Sequence, residues 1–225
     1  MERSSNSCES VRSVVETIKE IKQSFRLMMD GAVAQSMRDK GLNYHLNWGA
    51  TLPRLQAKAE EIRLLVIGSR LMVNLYDLSI ALYKENVREC KILATMLMPA
   101  DEILPEVVDI WQEQIPSQEI AEQLAFNLYQ HLPFAAEKAY QWIASDKEYD
   151  QLCGFHVLSR LFMNGQEPNE RGINEYLDEA LCALQGPYPS VRKAALQSLQ
   201  RFAELGILYE RLAKSATKSI DLDIF

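Results

Sequence analysis

The sequence predicts an entirely α-helical protein, and three features of its 225 residues predict it. Apolar residues recur at spacings of three and four from end to end, which gathers them on one face of a helix. Prolines return at short intervals, where they close one helix and open the next. Neither Asp30-Gly31 nor Asn164-Gly165, the pairs best suited to a tight hairpin, is flanked by alternating β-branched runs.

The boundaries fall in order at Thr51-Leu-Pro53, Met98 to Asp101, Ile115-Pro-Ser117, His131-Leu-Pro133, Asn164 to Pro168, Gly186 to Pro189 and Gly206. Between them the spacing predicts helices of about 10 to 16 residues. Val87 to Met98 is amphipathic, with Val87, Cys90, Leu93, Ala94 and Leu97 on one stripe beside Arg88, Glu89 and Lys91. Further helices are predicted over Leu104 to Gln114, Ser117 to Gln130, Pro133 to Ala144, Lys147 to Met163, Asn174 to Leu184 and Ser190 to Ala203. Ser117 suits an N-cap, with Glu119 in the first turn where the helix dipole favours a carboxylate. A helix, a short proline turn and a second helix, repeating about every 35 to 45 residues, is the rhythm of an α-solenoid of the HEAT type. A globular helical bundle is the competing architecture. The absence of a Gly-rich or polar linker favours one helical-repeat domain over residues 1–225, ending in a tail, Ile207 to Phe225, whose last residues Ile220 to Phe225 add a helix or stay mobile.

Composition narrows the class. Apolar residues make up 48% and charged residues 24%, as in an average folded protein. The longest apolar runs, such as Ile92 to Pro99, are too short to span a bilayer, and MERSSNSCES carries Glu2 and Glu9 and no apolar leader core. A cytoplasmic protein without a membrane partner is expected. The four cysteines, Cys8, Cys90, Cys153 and Cys182, form no CxxC pair and have no histidine at ligand spacing, so they read as free thiols, mostly buried. Net charge is −7 and unevenly spread: residues 1–100 hold 14 Lys or Arg against 11 Asp or Glu, residues 101–225 hold 10 against 20. Such a balance weakens non-specific attraction to nucleic acid and leaves room for a local basic groove.

No GxxxxGK[ST], GxGxxG, HExxH or GxSxG occurs, so neither a cofactor nor a metal is expected. His45, His131 and His156 lie far apart, and His156, inside an apolar helix, reads as a core or groove histidine before a catalytic one. Two clusters remain. In Ser117 to Glu122 the carboxylates Glu119 and Glu122 share a helix face, suited to acid/base work or to steadying a cation, or else forming a solvated acidic face. Tyr44-His-Leu-Asn-Trp48 reads as a loop packing its rings on the first helices.

Four stretches add a family likeness: Asn47 to Pro53, Ala81 to Ala94, Trp111 to Tyr129 and Val191-Arg-Lys-Ala194. In that order they resemble the AlkD-like DNA alkylation repair glycosylases over about residues 30–206. The resemblance implies a superhelix of HEAT-like repeats whose concave, basic face grips duplex DNA and which releases cationic N3- or N7-alkylated purines. A cationic base is already a good leaving group, so such a site needs chiefly to stabilise an oxocarbenium-like sugar. In the family a carboxylate, two tryptophans and an arginine do this. The Ser-Trp-Asp-x-x-Asp segment matches Ser117 to Glu122, which puts Glu122 at the essential carboxylate, with Glu119 beside it, and Gln118 in place of a tryptophan. Leu152 stands where the family has an arginine, and Gln197 and Gln200 replace the second tryptophan and another arginine. A glutamate adds a methylene to the family's aspartate, and ångström-scale misplacement costs about 100-fold in rate.

The implied phosphate contacts are Arg54, Lys58, Arg88, Lys91, Arg192 and Lys193. The resemblance therefore implies a DNA-binding family member with residual or altered glycosylase activity through Glu122 and weak duplex affinity. The alternative from the acidic half is a non-enzymatic HEAT-repeat scaffold that holds a protein partner in its concave face.

Overall fold

The structure, a computed structural model, describes residues 2–42, 44–68, 71–218 and 220, with side chains from residue 14 onward. It divides into two compact units, Met1–Pro105 and Glu106–Phe225. All regular structure among the described residues is helical. The Cys8 thiol and residues 221–225 of the tail lie outside the described residues.

The first unit holds α1 (Glu2–Leu27), α2 (Gly31–Asp39), α3 (Leu52–Ile67), α4 (Leu75–Lys84) and α5 (Arg88–Leu97). Side chains set the starts: Asp30 accepts from Ala32 and Val33 N–H at the head of α2, and Asn74 accepts from Tyr76 N–H at 2.7 Å at the head of α4. Pro53 sits in the first turn of α3, where its missing N–H costs nothing. α5 packs on α3 and α4 and is buried along nearly its whole length.

The loop before α3 is stitched to α5 from inside. Glu89 Oε1 accepts from Trp48 N–H at 3.1 Å and Ala50 N–H at 3.2 Å, and Arg88 Nη1 donates to Ala50 O at 2.8 Å. Arg88 N–H donates to Leu46 O, making an isolated parallel bridge. Trp48 O in turn accepts from Asp30 N–H, and its ring packs 6.0 Å from Phe25, as expected of this loop. Gly49 has φ +77°, and a Cβ there would lie 2.2 Å from Asp30 O, so the stretch Asn47 to Pro53 admits only glycine at that point.

The second unit continues with α6 (Pro105–Glu113), α7 (Gln118–Asn127), a 3-10 turn (Tyr129–His131), α8 (Ala135–Ile143), α9 (Glu148–Met163), α10 (Glu170–Gln185), α11 (Pro189–Ala203) and α12 (Ile207–Lys218). From α7 onward it forms two layers. α7, α9 and α11 pack side by side in one, α8, α10 and α12 in the other, and α8 on α9 and α10 on α11 join them. Gly154 lets α8 and α9 approach: a Cβ there would stand 2.7 Å from Ile143 Cγ2 and 2.9 Å from Ala139 O. Phe162, Tyr176, Phe202 and Tyr209 form an aromatic cluster with centroids 5.0 to 5.5 Å apart that ties α9 to α12 together.

Two boundaries differ from the spacing. The helix predicted over Ser117 to Gln130 ends at Asn127, because Leu128 leaves helical backbone (φ −126°, ψ −60°) and a 3-10 turn follows. The helix predicted from Asn174 begins at Glu170, where Asn169 Oδ1 accepts from Gly172 N–H at 2.8 Å. The start of the stretch read as a tail is instead a helix, α12 over Ile207–Lys218. Cys90 and Cys153 are buried and Cys182 is exposed, all as free thiols. Among the described residues no helix is long and apolar enough to cross a membrane.

Candidate functional site

Ser117 Oγ accepts from Ile120 N–H and starts α7, from which Gln118, Glu122 and Phe126 follow at four-residue steps on one stripe. Gln118 Nε2 donates to Glu122 Oε1 at 2.8 Å, and Glu122 is half-buried. Glu119, also half-buried, lies in the first turn of the same helix. Behind the stripe stands Cys153 of α9, whose Sγ donates to Ala121 O at 3.4 Å. Burial pushes this thiol far above its ordinary range, and the charges of Asp150 and Glu122 add to the effect, so it stays a protonated packing group.

One turn further along, α7 and α9 meet at Phe126 and His156, whose rings stand 4.8 Å apart edge to face. Arg160, four residues after His156, places its guanidinium 4.8 Å over the Phe126 ring. His156 is 9% exposed, and burial, reinforced by the charges of Arg160 and of Lys193 on α11, lowers its pKa to about 4. It is a neutral imidazole at pH 7. Lys193, Gln197 and Gln200 are exposed and follow one another at helical spacing along α11. Arg192 is exposed beside them, its Nη1 donating to Gly186 O at 2.7 Å.

Two expected positions are corrected by burial. Leu152, taken as a groove position, is 1% exposed and belongs to the core. Arg88, taken as a phosphate contact, is also 1% exposed; its charge sits 3.5 Å from Glu89 and its guanidinium holds Ala50 O. The other cations of the first unit are engaged to differing degrees. Lys91 donates to Tyr83 O at 2.7 Å, lies 4.5 Å over the Tyr83 ring and has its pKa lowered by burial. Lys58 pairs with Glu61 at 3.0 Å, and exposed Arg54 donates to Met28 O at 3.1 Å. Arg192 and Lys193 thus remain as exposed cations of the second unit, joined by half-buried Arg160.

Phe126 and Arg160 escaped the sequence reading. Their signal was present: each follows an already noted residue, Glu122 or His156, by four positions. The acid excess of this half also has a location. Seven of its acids lie on α6 (Glu106, Asp109, Glu113) and on α10 (Glu170, Glu175, Asp178, Glu179), while α7 carries Glu119 and Glu122, α9 Glu148 and Asp150, and α11 none.

Stacked helix pairs of this kind define a HEAT-like repeat protein, and a solved structure has the same fold. That structure represents a new family of proteins related to the HEAT-like repeat DNA glycosylases with affinity for branched DNA structures. It aligns with TM-score 0.74 at 16% identity, over 89% of this chain and 81% of its own. Residues 21–206 match the sequence profile of the DNA alkylation repair enzyme family, and the chain belongs to that family. No curated protein sequence matches it.

Proposed function

We propose that this protein binds DNA through the α7–α9–α11 face of its second unit and has lost efficient alkylpurine excision. The observation that carries the reading is the convergence of Phe126, His156, Arg160 and Lys193 from three helices beside Glu122. A half-buried ring backed by a guanidinium offers a base or sugar an apolar surface, and the neighbouring cations offer charge to a backbone. Glu122 keeps the carboxylate of the family's chemistry. Its Oε1 is engaged by Gln118, where the family has a ring, and Gln197 and Gln200 supply neither ring nor cation.

Three cations, Arg160, Arg192 and Lys193, are few for a duplex binder, so affinity at physiological salt is weak and its salt dependence shallow. The fold neighbour's affinity for branched DNA makes a four-way junction the ligand of choice, because a junction presents phosphates from more than one strand to a small face. Fluorescence anisotropy with a labelled junction and a duplex of equal length tests this. The junction binds the more tightly, log K falls with log salt at a slope of about −3, and Lys193→Glu weakens binding to both. Silence of both DNAs at low salt would overturn the reading in favour of a protein scaffold, with acid-rich α6 and α10 as its surface.

A further inference from the structure

The contacts Lys91–Tyr83 and Arg160–Phe126 each set a cation over a ring, and they differ in what they leave open. Tyr83 is 1% exposed and Lys91 Nζ donates to its carbonyl, so both groups are used inside the fold. Phe126 is half-buried, and the Arg160 guanidinium 4.8 Å over it makes no hydrogen bond or ion pair with any described residue. The acids of its own helix, Glu148 and Asp150, lie at the opposite end, about 15 Å or more away along the axis. The ring below is held from two sides: His156 meets it edge to face at 4.8 Å, and Gln130 Nε2 donates to Phe126 O. A fixed ring under an unengaged guanidinium is a stack with one place open. The outer face of the guanidinium suits a nucleobase, and its N–H edge suits a phosphate.

We infer that Phe126 and Arg160 form a stacking platform for an unpaired base, so that this face selects DNA whose bases are open at a branch point. The platform rests on the DNA reading and adds what is recognised there. In a fully paired duplex each base is stacked between its neighbours, and only the backbone reaches Arg160. At a branch point with unpaired nucleotides a base swings onto the guanidinium and extends the stack begun by the Phe126 ring. Stacking supplies affinity that a few cations do not, about 5- to 150-fold per base. It does so without sequence preference, because every base has a flat face.

Two four-way junctions of equal length test this with the full chain, one fully paired and one with 2-aminopurine unpaired at the branch point. Anisotropy reports binding, and 2-aminopurine fluorescence reports stacking. We expect the unpaired junction to bind at least about fivefold more tightly than the paired one, with its fluorescence quenched. Arg160→Lys keeps the charge and removes the plane, and Phe126→Leu keeps an apolar side chain and removes the ring. Each erases both the preference and the quenching, while the paired junction binds as before with an unchanged salt slope. Bound DNA with 2-aminopurine unquenched overturns the platform and leaves the DNA reading standing. Equal weakening of both junctions by Arg160→Lys makes Arg160 a phosphate contact and overturns the platform. No binding of either junction overturns the DNA reading and the platform with it.

Discussion

Replacing Arg88 by leucine will destabilise the protein by about 3–5 kcal/mol, because it strands the Glu89 carboxylate in the core without its counter-charge. Glu89 is 0% exposed, and its Oε2 has no hydrogen-bond partner, so it has no slack to absorb the loss. Glu89→Leu will cost a comparable amount by a different route, since it orphans the Trp48 and Ala50 amides that Oε1 holds. Many buried ion pairs can be exchanged for apolar residues together at little cost. Here the double replacement will stay destabilised, because the loop's backbone groups depend on both side chains. Urea unfolding followed by circular dichroism measures all three. A cost below about 1 kcal/mol for Arg88→Leu, combined with lost DNA affinity, would return Arg88 to the role of phosphate contact.

The larger effect concerns catalysis. Excision of N7-methylguanine from an oligonucleotide will be absent or barely above the spontaneous rate. Each group that stabilises developing charge in such a site is worth about 10² to 10³ in rate. By the resemblance, Gln118 and Gln197 replace rings of the family's site and Gln200 one of its cations. A methylated purine brings its own positive charge, so Glu122 alone sets what remains. Glu122→Gln, which keeps size and removes charge, will abolish that remainder. Robust release by the purified protein would show that Phe126 and Arg160 have taken over the lost functions. Release unaffected by Glu122→Gln would show that another carboxylate acts.

Most of the fold is legible in the sequence because helices announce themselves locally. The three-and-four spacing and the prolines at 53 and 189 fix where helices begin. What is missed depends on a single capping side chain or on distance along the chain. Asn169 opens α10 earlier than its apolar stripe does, and Leu128 breaks a helix whose pattern runs on. Arg88 and Lys193 look alike as residues. They differ because a loop 38 residues away closes over Arg88, which no local pattern reports. Leu152 was assigned by family register, whereas its burial follows from the helices packed around α9. Glu122 and Lys193 came from motifs, while Phe126 and Arg160 needed two helices brought together to gain meaning.

If the α7–α9–α11 layer is the DNA-binding face, backbone amide shifts mapped during titration with a four-way junction will concentrate on Gln118 to Asn127, His156 to Met163 and Arg192 to Gln200, with α8, α10 and α12 unmoved. Perturbations centred on α8 and α10 instead, around Tyr140 and Glu175, would contradict it.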